Sequence, residues 1–155
     1  MKYTQKQKQE RGTDGEAIVT ASLRKSGIWN HKLVNAGYGT VFDKIAIPKG
    51  GGYAIEVKLR KEPRIAYNKK SITPNEIKGL DSFVEKVGQD HAYIIGICDK
   101  GSNIRMWAIP WVAVRDDVKS GRRGSIKMED FREIKPVGRS KRVFDFGFLK
   151  KRGGE

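Results

Sequence analysis

Three charged side chains lie in the stretch Val41–Lys61, VFDKIAIPKGGGYAIEVKLRK, among residues that are typical of a buried strand pair. Asp43, Glu56 and Lys58 alternate there with Val, Ile, Phe, Ala and Tyr. Two carboxylates that face each other repel, and partial burial raises the cost. A divalent cation would remove that repulsion, so these residue types point to metal-assisted chemistry.

A β-hairpin would bring the three charges together. The runs TVFDKIAI and YAIEVKL predict two strands, and PKGGG supplies the turn between them. Because side chains alternate along a strand, the second run has an apolar face and a face that carries charges. The members of the two faces are Tyr53, Ile55, Val57 and Leu59 on the first, and Ala54, Glu56 and Lys58 on the second. A turn centred between Lys49 and Gly50 places Asp43 directly opposite Glu56, whereas a glycine bulge would shift the register by one.

The arrangement predicts a magnesium site beside a cation. Mg²⁺ is commonly held by one or two carboxylates together with waters and substrate phosphates. Asp43 and Glu56 would supply the carboxylates, and the backbone carbonyl of Val57 would add a ligand. Lys58 would orient or deprotonate an attacking water and offset charge on a phosphate. The alternative is a solvated face on which Lys58 forms an ordinary surface ion pair.

The overall charge favours a polyanionic partner. The 155 residues contain 32 Lys and Arg against 18 Asp and Glu, a net charge of +14, which raises the local concentration of nucleic acid. No apolar run is long enough to span a membrane, and the first residues, MKYTQKQKQERG, lack the apolar segment of a signal peptide. With Cys98 as the single cysteine, no internal disulfide can form. We therefore expect a cytoplasmic, DNA-associated protein with no membrane partner.

The remaining elements predict an α/β domain with a mixed sheet. Residues 1–11 are predicted to be flexible and basic, and Thr13 or Asp14 caps a first helix that stops at Gly27. GIWNHKLVN predicts a strand, and TPNEIKGLDSFVEKVG predicts a helix with Thr73, Pro74 and Glu76 as a capping box. AYIIGICD and NIRMWAIPW predict a central strand and its neighbour. Residues 119–155 form a basic C-terminal extension of the single domain 1–155.

Two groups of residues outside the hairpin invite an interpretation. Phe144, Phe146 and Phe148 at period two indicate core or a dimer interface, and Trp107 and Trp111 indicate core or rim packing. A basic loop, RKEPRIAYNKKS, follows the second hairpin strand directly, which favours phosphate contact over a merely solvated loop. The candidate DNA-binding residues are Arg11, Arg60, Lys61, Arg64, Lys69 and Lys70.

The spacing FDKIAIPKGGGYAIEVK resembles the D-x(12)-E-x-K core of the PD-(D/E)XK nuclease superfamily. The wider order, with RGTDGEAIVTASLRKSG before the hairpin and SITPNEIKGLDSF leading into AYIIGI, resembles the RecU-type and Hjc-type Holliday junction resolvases. Two departures stand out. Phe42 occupies the place of a proline that often precedes the aspartate, and Glu76 occupies the place of a glutamine in the second helix. A capping box is a sufficient role for Glu76.

The resemblance implies a restriction-endonuclease-like core with a mixed central β-sheet flanked by helices. It implies that Glu16, Asp43 and Glu56 serve the metal site and that Lys58 serves catalysis. The expected function is a Mg²⁺-dependent endonuclease, with Mn²⁺ as a substitute, that cleaves four-way DNA junctions as a homodimer. Another nuclease of the superfamily, acting on duplex or damaged DNA, and a non-catalytic nucleic-acid-binding module on the same fold are the alternatives.

Overall fold

The computed structural model describes residues 5–33 and 41–150, with side chains from residue 14 onward. Three α-helices are present in this part: α1 (Gln5–Lys25), α2 (Pro74–Val87) and α3 (Trp111–Ser120). The strands are β1 (Trp29–Lys32), β2 (Lys44–Ile47), β3 (Tyr53–Arg60), β4 (Arg64–Ala66), β5 (Ala92–Asp99), β6 (Ile104–Pro110), β7 (Ser125–Lys127) and β8 (Arg132–Ile134). No helix among the described residues has the length and apolar character that crossing a bilayer requires.

The main sheet is mixed and has the strand order β1-β2-β3-β5-β6-β8. β3 pairs with β5 in parallel, and the other neighbours pair antiparallel. A parallel pair needs a crossover, and α2 lies within the connection between β3 and β5. A second, two-stranded sheet pairs β4 with β7. The predicted α/β class with a mixed central sheet is confirmed.

The helices cover the two faces of the sheet with separate cores. Ile18, Val19 and Leu23 of α1 pack with Ile55 on one face. The opposite core holds buried side chains of α2 and α3, namely Leu80, Val84, Trp111 and Val114. β5 contributes to both cores, which explains its nearly continuous apolar sequence and confirms it as the covered central strand.

The hairpin register agrees with a centred turn. Lys44 pairs with Ile55 and Ala46 pairs with Tyr53, so the turn is centred between Lys49 and Gly50 as predicted, and the alternative of a glycine bulge is wrong. Asp43 lies just before β2, and its N–H donates to the Ile55 carbonyl at 3.1 Å, one residue away from the position opposite Glu56. The Asp43 and Glu56 side chains nevertheless lie close enough to interact.

The start of the first helix differs from the sequence-based expectation. α1 begins at Gln5, so residues 5–11 are helical rather than frayed, and Thr13 and Asp14 lie inside the helix. Gln, Lys, Glu and Arg fill this segment, and all have good helix propensity. Residues 1–4 lie outside the described part of the chain.

Gly15 brings α1 close to β3. A Cβ at this position would lie 3.3 Å from side-chain atoms of both Val57 and Leu59, which is tighter than most such contacts. A glycine in a helix interior costs roughly 0.5–1 kcal/mol relative to alanine, so the close approach explains its use here. The contact sets the next residue, Glu16, beside the hairpin.

α2 matches its sequence signals closely. Thr73 is the N-cap, Pro74 is the first helical residue, and both hydrogen bonds of the Thr73–Glu76 capping box are present. Gly88 forms the C-cap. Among the apolar residues of α2, Leu80 and Val84 are buried, whereas Val87 at the last turn is exposed.

The second half of the chain corrects several expectations. The predicted strand NIRMWAIPW ends at Pro110, and Trp111 begins α3, which was not predicted. The basic loop contains strand β4, which was not predicted. Its partner β7 lies about sixty residues further along the chain, so no local signal indicated the pairing. The period-two segment that contains Phe144, Phe146 and Phe148 is not a strand of the sheet, and it forms an isolated bridge between Phe144 and Pro136.

The surfaces proposed for dimerisation are mostly buried within one chain. Phe144 and Phe146 pack against α1, and Trp107 and Trp111 are almost completely inaccessible. The core interpretation of these residues is confirmed, and their use as the main dimer interface is wrong. Cys98 is buried, as expected, and its thiol donates to the Lys61 carbonyl.

Candidate active site

The candidate site lies where β3 extends beyond its neighbour. β2 begins at Lys44, opposite Ile55, so the following residues of β3 have no β2 partner on that edge. The Val57 N–H donates instead to the carboxylate Oδ2 of Asp43, at 2.7 Å. Because the N–H and C=O of a strand residue point to the same edge, the Val57 carbonyl also faces this side. The Asp43 carboxylate and the Val57 carbonyl therefore lie at the part of the β3 edge that β2 leaves unpaired.

Glu56 and Lys58 form a buried charge cluster with a third residue, Glu76. Glu56 is 4% exposed and Lys58 is 8% exposed, although both are charged types. The Lys58 Nζ lies 2.9 Å from Glu56 Oε2, and it donates to both carboxylate oxygens of Glu76 at 3.0 and 3.1 Å. The interpretation of Lys58 as a member of an exposed surface pair is therefore wrong.

Glu76 is held in place by the first turn of α2. Its Oε2 accepts the Thr73 N–H at 3.1 Å, and its own N–H donates to Thr73 Oγ1 at 3.2 Å. One carboxylate thus completes a helix cap and binds the site lysine. The sequence identified the cap but not the lysine contact, because only the packing of α2 onto β3 brings the two together.

Burial controls the electrostatics of the two carboxylates. Desolvation raises the pKa of Asp43 to about 6, against the opposing effect of the Val57 N–H, and Glu16 adds to the rise. Desolvation raises the pKa of Glu56 to about 9, while Lys58 opposes the shift and Asp43 and Glu76 add to it. The cations of the protein therefore do not fully balance the negative charge that Asp43 and Glu56 carry when both are ionised.

A second layer of charge lies between α1 and the hairpin. Glu16 is half-buried, forms a 2.9 Å ion pair with Lys32, and interacts with Asp43. Lys44 is buried, and its ammonium donates to Thr20 Oγ1 at 2.6 Å and to Asn30 Oδ1 at 2.9 Å. Burial lowers the pKa of Lys44. Lys44 was not among the predicted site residues, although it lies on the same face of β2 as Ala46, which was a signal of burial.

The candidate DNA-binding residues separate into two groups. Arg60 is part of the site: it follows Glu56 and Lys58 at period two, donates to Ser71 Oγ at 2.9 Å, and has a pKa lowered by burial. The others lie outside it. Lys61, Arg64, Lys69 and Lys70 are exposed on β4 and its flanking turns. The side chain of Arg11 lies outside the described residues.

The donor set fits a hydrated magnesium ion rather than a closed metal cage. Among the described side chains, no group of three or more His, Cys, Asp or Glu is arranged to hold a metal ion. Asp43 and Glu56 are a pair of carboxylates with raised pKa values, which a nearby cation would lower. Mg²⁺ usually keeps several waters and needs only one or two carboxylates, so these residues suit it.

Comparisons with known proteins are sparse at the sequence level. No protein-family model matches the chain, and no curated protein matches it. Among solved structures 20 chains match. One is Hjc of Archaeoglobus fulgidus, a Holliday junction resolvase from an archaeal hyperthermophile, which is 25% identical with a TM-score of 0.46. The match covers 64% of this chain and 71% of that one.

Replacement of Asp43 by Asn should stabilise the metal-free protein. The folded-state pKa of about 6 lies above the ordinary value of 3.8, so the unfolded chain loses this proton first. Asp43 therefore lowers the stability as pH rises from about 4 to 6, and the loss is complete above that range. In chelator at pH 7.5, we expect Asp43→Asn to add about 1–2 kcal/mol, or roughly 2–8 °C in Tm.

Thermal unfolding followed by circular dichroism measures this effect. The gain in Tm should shrink at pH 4, where the parent protein also holds a neutral group at position 43. Asp90→Asn, at an exposed position, is the matched control and should change Tm little at either pH. A lower Tm for Asp43→Asn at pH 7.5 would contradict the electrostatic description of the site.

Proposed function

We propose that the protein is a Mg²⁺-dependent endonuclease that cleaves branched DNA and acts as a Holliday junction resolvase. The observation that carries the proposal is the cluster of the half-buried Asp43 with the buried Glu56 and Lys58, where β3 extends beyond β2. An under-compensated carboxylate pair beside a fixed ammonium suits phosphodiester hydrolysis. The net charge of +14 suits a polyanionic substrate. A module that only bound nucleic acid would have no need of paired carboxylates.

Lys58 is arranged to act as a cation. Two acidic side chains, Glu56 and Glu76, lie 2.9 and 3.0 Å from its Nζ, so the position of the Lys58 amine is fixed from two sides. A fixed ammonium offsets the negative charge that develops on a phosphate during attack, and it orients a water by hydrogen bonding. Arg60, on the same face of β3, would contact a phosphate oxygen next to it.

Asp43 and Glu56 would hold the metal ion, with the Val57 carbonyl at the same edge. When bound there, Mg²⁺ supplies a Lewis acid for the phosphate and lowers the pKa of a coordinated water. Glu16 would act from α1 by holding its negative charge beside Asp43, which strengthens attraction for a cation. The chain thus contributes the carboxylates, the ammonium and the enclosed position.

The substrate is tested by direct comparison. The protein is incubated with a labelled synthetic four-way junction and with a linear duplex of matched sequence, with and without Mg²⁺. Paired nicks in the junction, with little cutting of the duplex, support the proposal. Equal cutting of both identifies a nuclease of broader duplex specificity, and binding without cutting identifies a non-catalytic module.

Cleavage should require a divalent cation and both opposed carboxylates. Asp43→Asn and Glu56→Gln should each abolish cutting of the junction, since each removes a charged ligand, while DNA binding survives. Mn²⁺ should replace Mg²⁺, whereas Ca²⁺ should support binding with little cutting because it accepts looser geometry. Gel analysis of cleavage products and anisotropy of the labelled junction measure the two properties. Full activity in chelator, or undiminished cutting by either variant, would remove the proposed site.

Lys58→Ala should lower the cleavage rate far more than the affinity. A group that positions or transfers a proton in the transition state typically contributes about 10²–10⁴-fold to the rate. Single-turnover cleavage at saturating enzyme isolates the chemical step from binding. Lys78→Ala, an exposed lysine on α2, is the matched control and should cut at the parental rate. A Lys58→Ala rate within about threefold of the parent would mean that the lysine has only a structural role.

We also propose that the active form is a homodimer with two-fold symmetry. Resolution of a four-way junction needs two matched cuts, and one 155-residue domain with one site makes one at a time. The exposed apolar surface that remains includes Trp29, which is 60% exposed and lies opposite Ile47 in the β1–β2 pair. β1 is the edge strand of the sheet, which makes this pair a suitable dimer contact.

Light scattering at micromolar concentration and moderate salt tests the assembly. We expect twice the 17.5 kDa chain mass for the parent, and the chain mass for Trp29→Glu with Ile47→Glu, because buried carboxylates disfavour an apolar contact. Val118→Glu, which alters an exposed apolar residue on α3, is the control and should remain dimeric. A parent of 17.5 kDa that still makes paired nicks would contradict the dimer.

A further inference from the structure

The two-stranded sheet of β4 and β7 has no role in the site described above. It joins two segments that are far apart in sequence, with Arg64 opposite Lys127, Ile65 opposite Ile126, and Ala66 opposite Ser125. The ladder continues at both ends through hydrogen bonds from Met128 N to Pro63 O and from Tyr67 N to Gly124 O. We call residues 64–70 and 122–127 the basic ribbon.

One face of the basic ribbon is anchored and the other is open. Ile65 and Ile126 are buried in the core that also holds α2 and α3. Alternation along the strands therefore turns Arg64, Lys127 and Ala66 outward, and all three are exposed. A face that combines two long cations with small residues allows a flat partner to approach the backbone closely.

The fold gives little account of the charges of the basic ribbon, beyond a 2.7 Å hydrogen bond from the Arg64 guanidinium to Ser125 Oγ. Arg64 and Lys127 are like charges directly opposite each other, an arrangement that destabilises a strand pair. The end of the ribbon near Tyr67 adds further exposed cations, which are Lys69, Lys70 and Arg122. Within the described residues, none of these five side chains forms a salt bridge, whereas the neighbouring Arg123 pairs with Asp117. An anionic partner would account for a concentration of cations that stability alone disfavours.

The basic ribbon adjoins the candidate active site at both of its ends. β4 begins four residues after Arg60, which lies on the same face of β3 as Glu56 and Lys58. The turn that leaves β4 leads to Ser71, which binds the Arg60 guanidinium, and then to the capping box of α2. The two segments that flank β4 therefore connect the ribbon to residues of the candidate site.

We propose that the basic ribbon binds the sugar–phosphate backbone of the DNA arm next to the cleaved phosphate. This inference rests on the proposed function and names a substrate contact for the same site. A five-residue strand is about 17 Å long, a length over which one DNA strand presents about five phosphates. Arg64 and Lys127 lie at one end of that length, and Lys69, Lys70 and Arg122 lie in the turns beyond its other end, so the contact reads backbone rather than sequence.

The salt dependence of binding tests the basic ribbon. The double variant Arg64→Gln with Lys127→Gln is compared with Lys49→Gln with Lys86→Gln, which removes two exposed charges from the hairpin turn and the last turn of α2. Anisotropy of a labelled four-way junction in chelator gives the affinity without cleavage. We expect the slope of log K against log salt to fall by about 1.8 in magnitude for the ribbon variant, since each phosphate contact contributes about 0.9. The control should keep the parental slope.

Several outcomes would overturn this inference. The ribbon variant could keep the parental slope of log K against log salt, or both double variants could lose the same amount of slope. Either result would mean that the ribbon cations act only through the net charge of the protein. Loss of binding to phosphatidylserine vesicles with an unchanged DNA slope would assign the surface to a membrane. Lys70→Gln with Arg122→Gln repeats the measurement at the other end of the ribbon, so the result does not depend on one strand pair.

The test separates the ribbon from the proposed function. At saturating enzyme with Mg²⁺, the control variant Lys49→Gln with Lys86→Gln should cleave at the parental single-turnover rate, because neither lysine belongs to the site or to the ribbon. If the parent protein cleaves the junction and both double variants show the same slope of log K against log salt, only the proposal for the basic ribbon is contradicted. A parent that binds without cleaving contradicts the proposed function, and the slopes then still decide the ribbon.

Discussion

The candidate site depends on the unequal lengths of two paired strands. β3 runs for eight residues, but β2 pairs with only its first three, so the rest of that edge carries backbone groups without a β2 partner. Such groups must be satisfied in another way when they are shielded from water. Asp43 does so by accepting the Val57 N–H, and this hydrogen bond fixes a carboxylate beside the buried Glu56. Close approach of α1 at Gly15 then delivers Glu16 to the same edge.

The arrangement concentrates charge where the protein alone cannot neutralise it. The raised pKa values of Asp43 and Glu56 mean that ionising these groups works against folding. Lys58 offsets part of this cost, and its Nζ contacts both Glu56 and Glu76. Sites that act on charged substrates often hold such opposed groups, because the incoming ligand completes the electrostatic balance. If the proposed function is correct, the fold holds Asp43 and Glu56 where their ionised forms become favourable only when a cation and a phosphate are bound.

The parts of the structure that could be predicted from sequence are those with local signals. Turn residues and strand alternation were sufficient for the hairpin and for the register of β2 against β3, and capping residues were sufficient for α2. The pairing of β4 with β7 could not be inferred, since each strand has three residues and its partner is distant. The contact of Lys58 with Glu76 was missed for a similar reason, because it arises from packing between elements. Arg60 was assigned to a loop because the predicted strand YAIEVKL ended one residue before the end of β3.

The double use of Glu76 links local order to chemistry. Its carboxylate closes the first turn of α2 through Thr73 and also holds Lys58. The first turn of a helix opens at a much smaller free energy than the whole domain unfolds. Fraying of this one turn would therefore withdraw a support from the lysine while the sheet and both cores stay intact. Heat or denaturant should therefore abolish the proposed cleavage activity at milder conditions than those that unfold the domain. A phosphate bound at the site should in turn stabilise the first turn of α2.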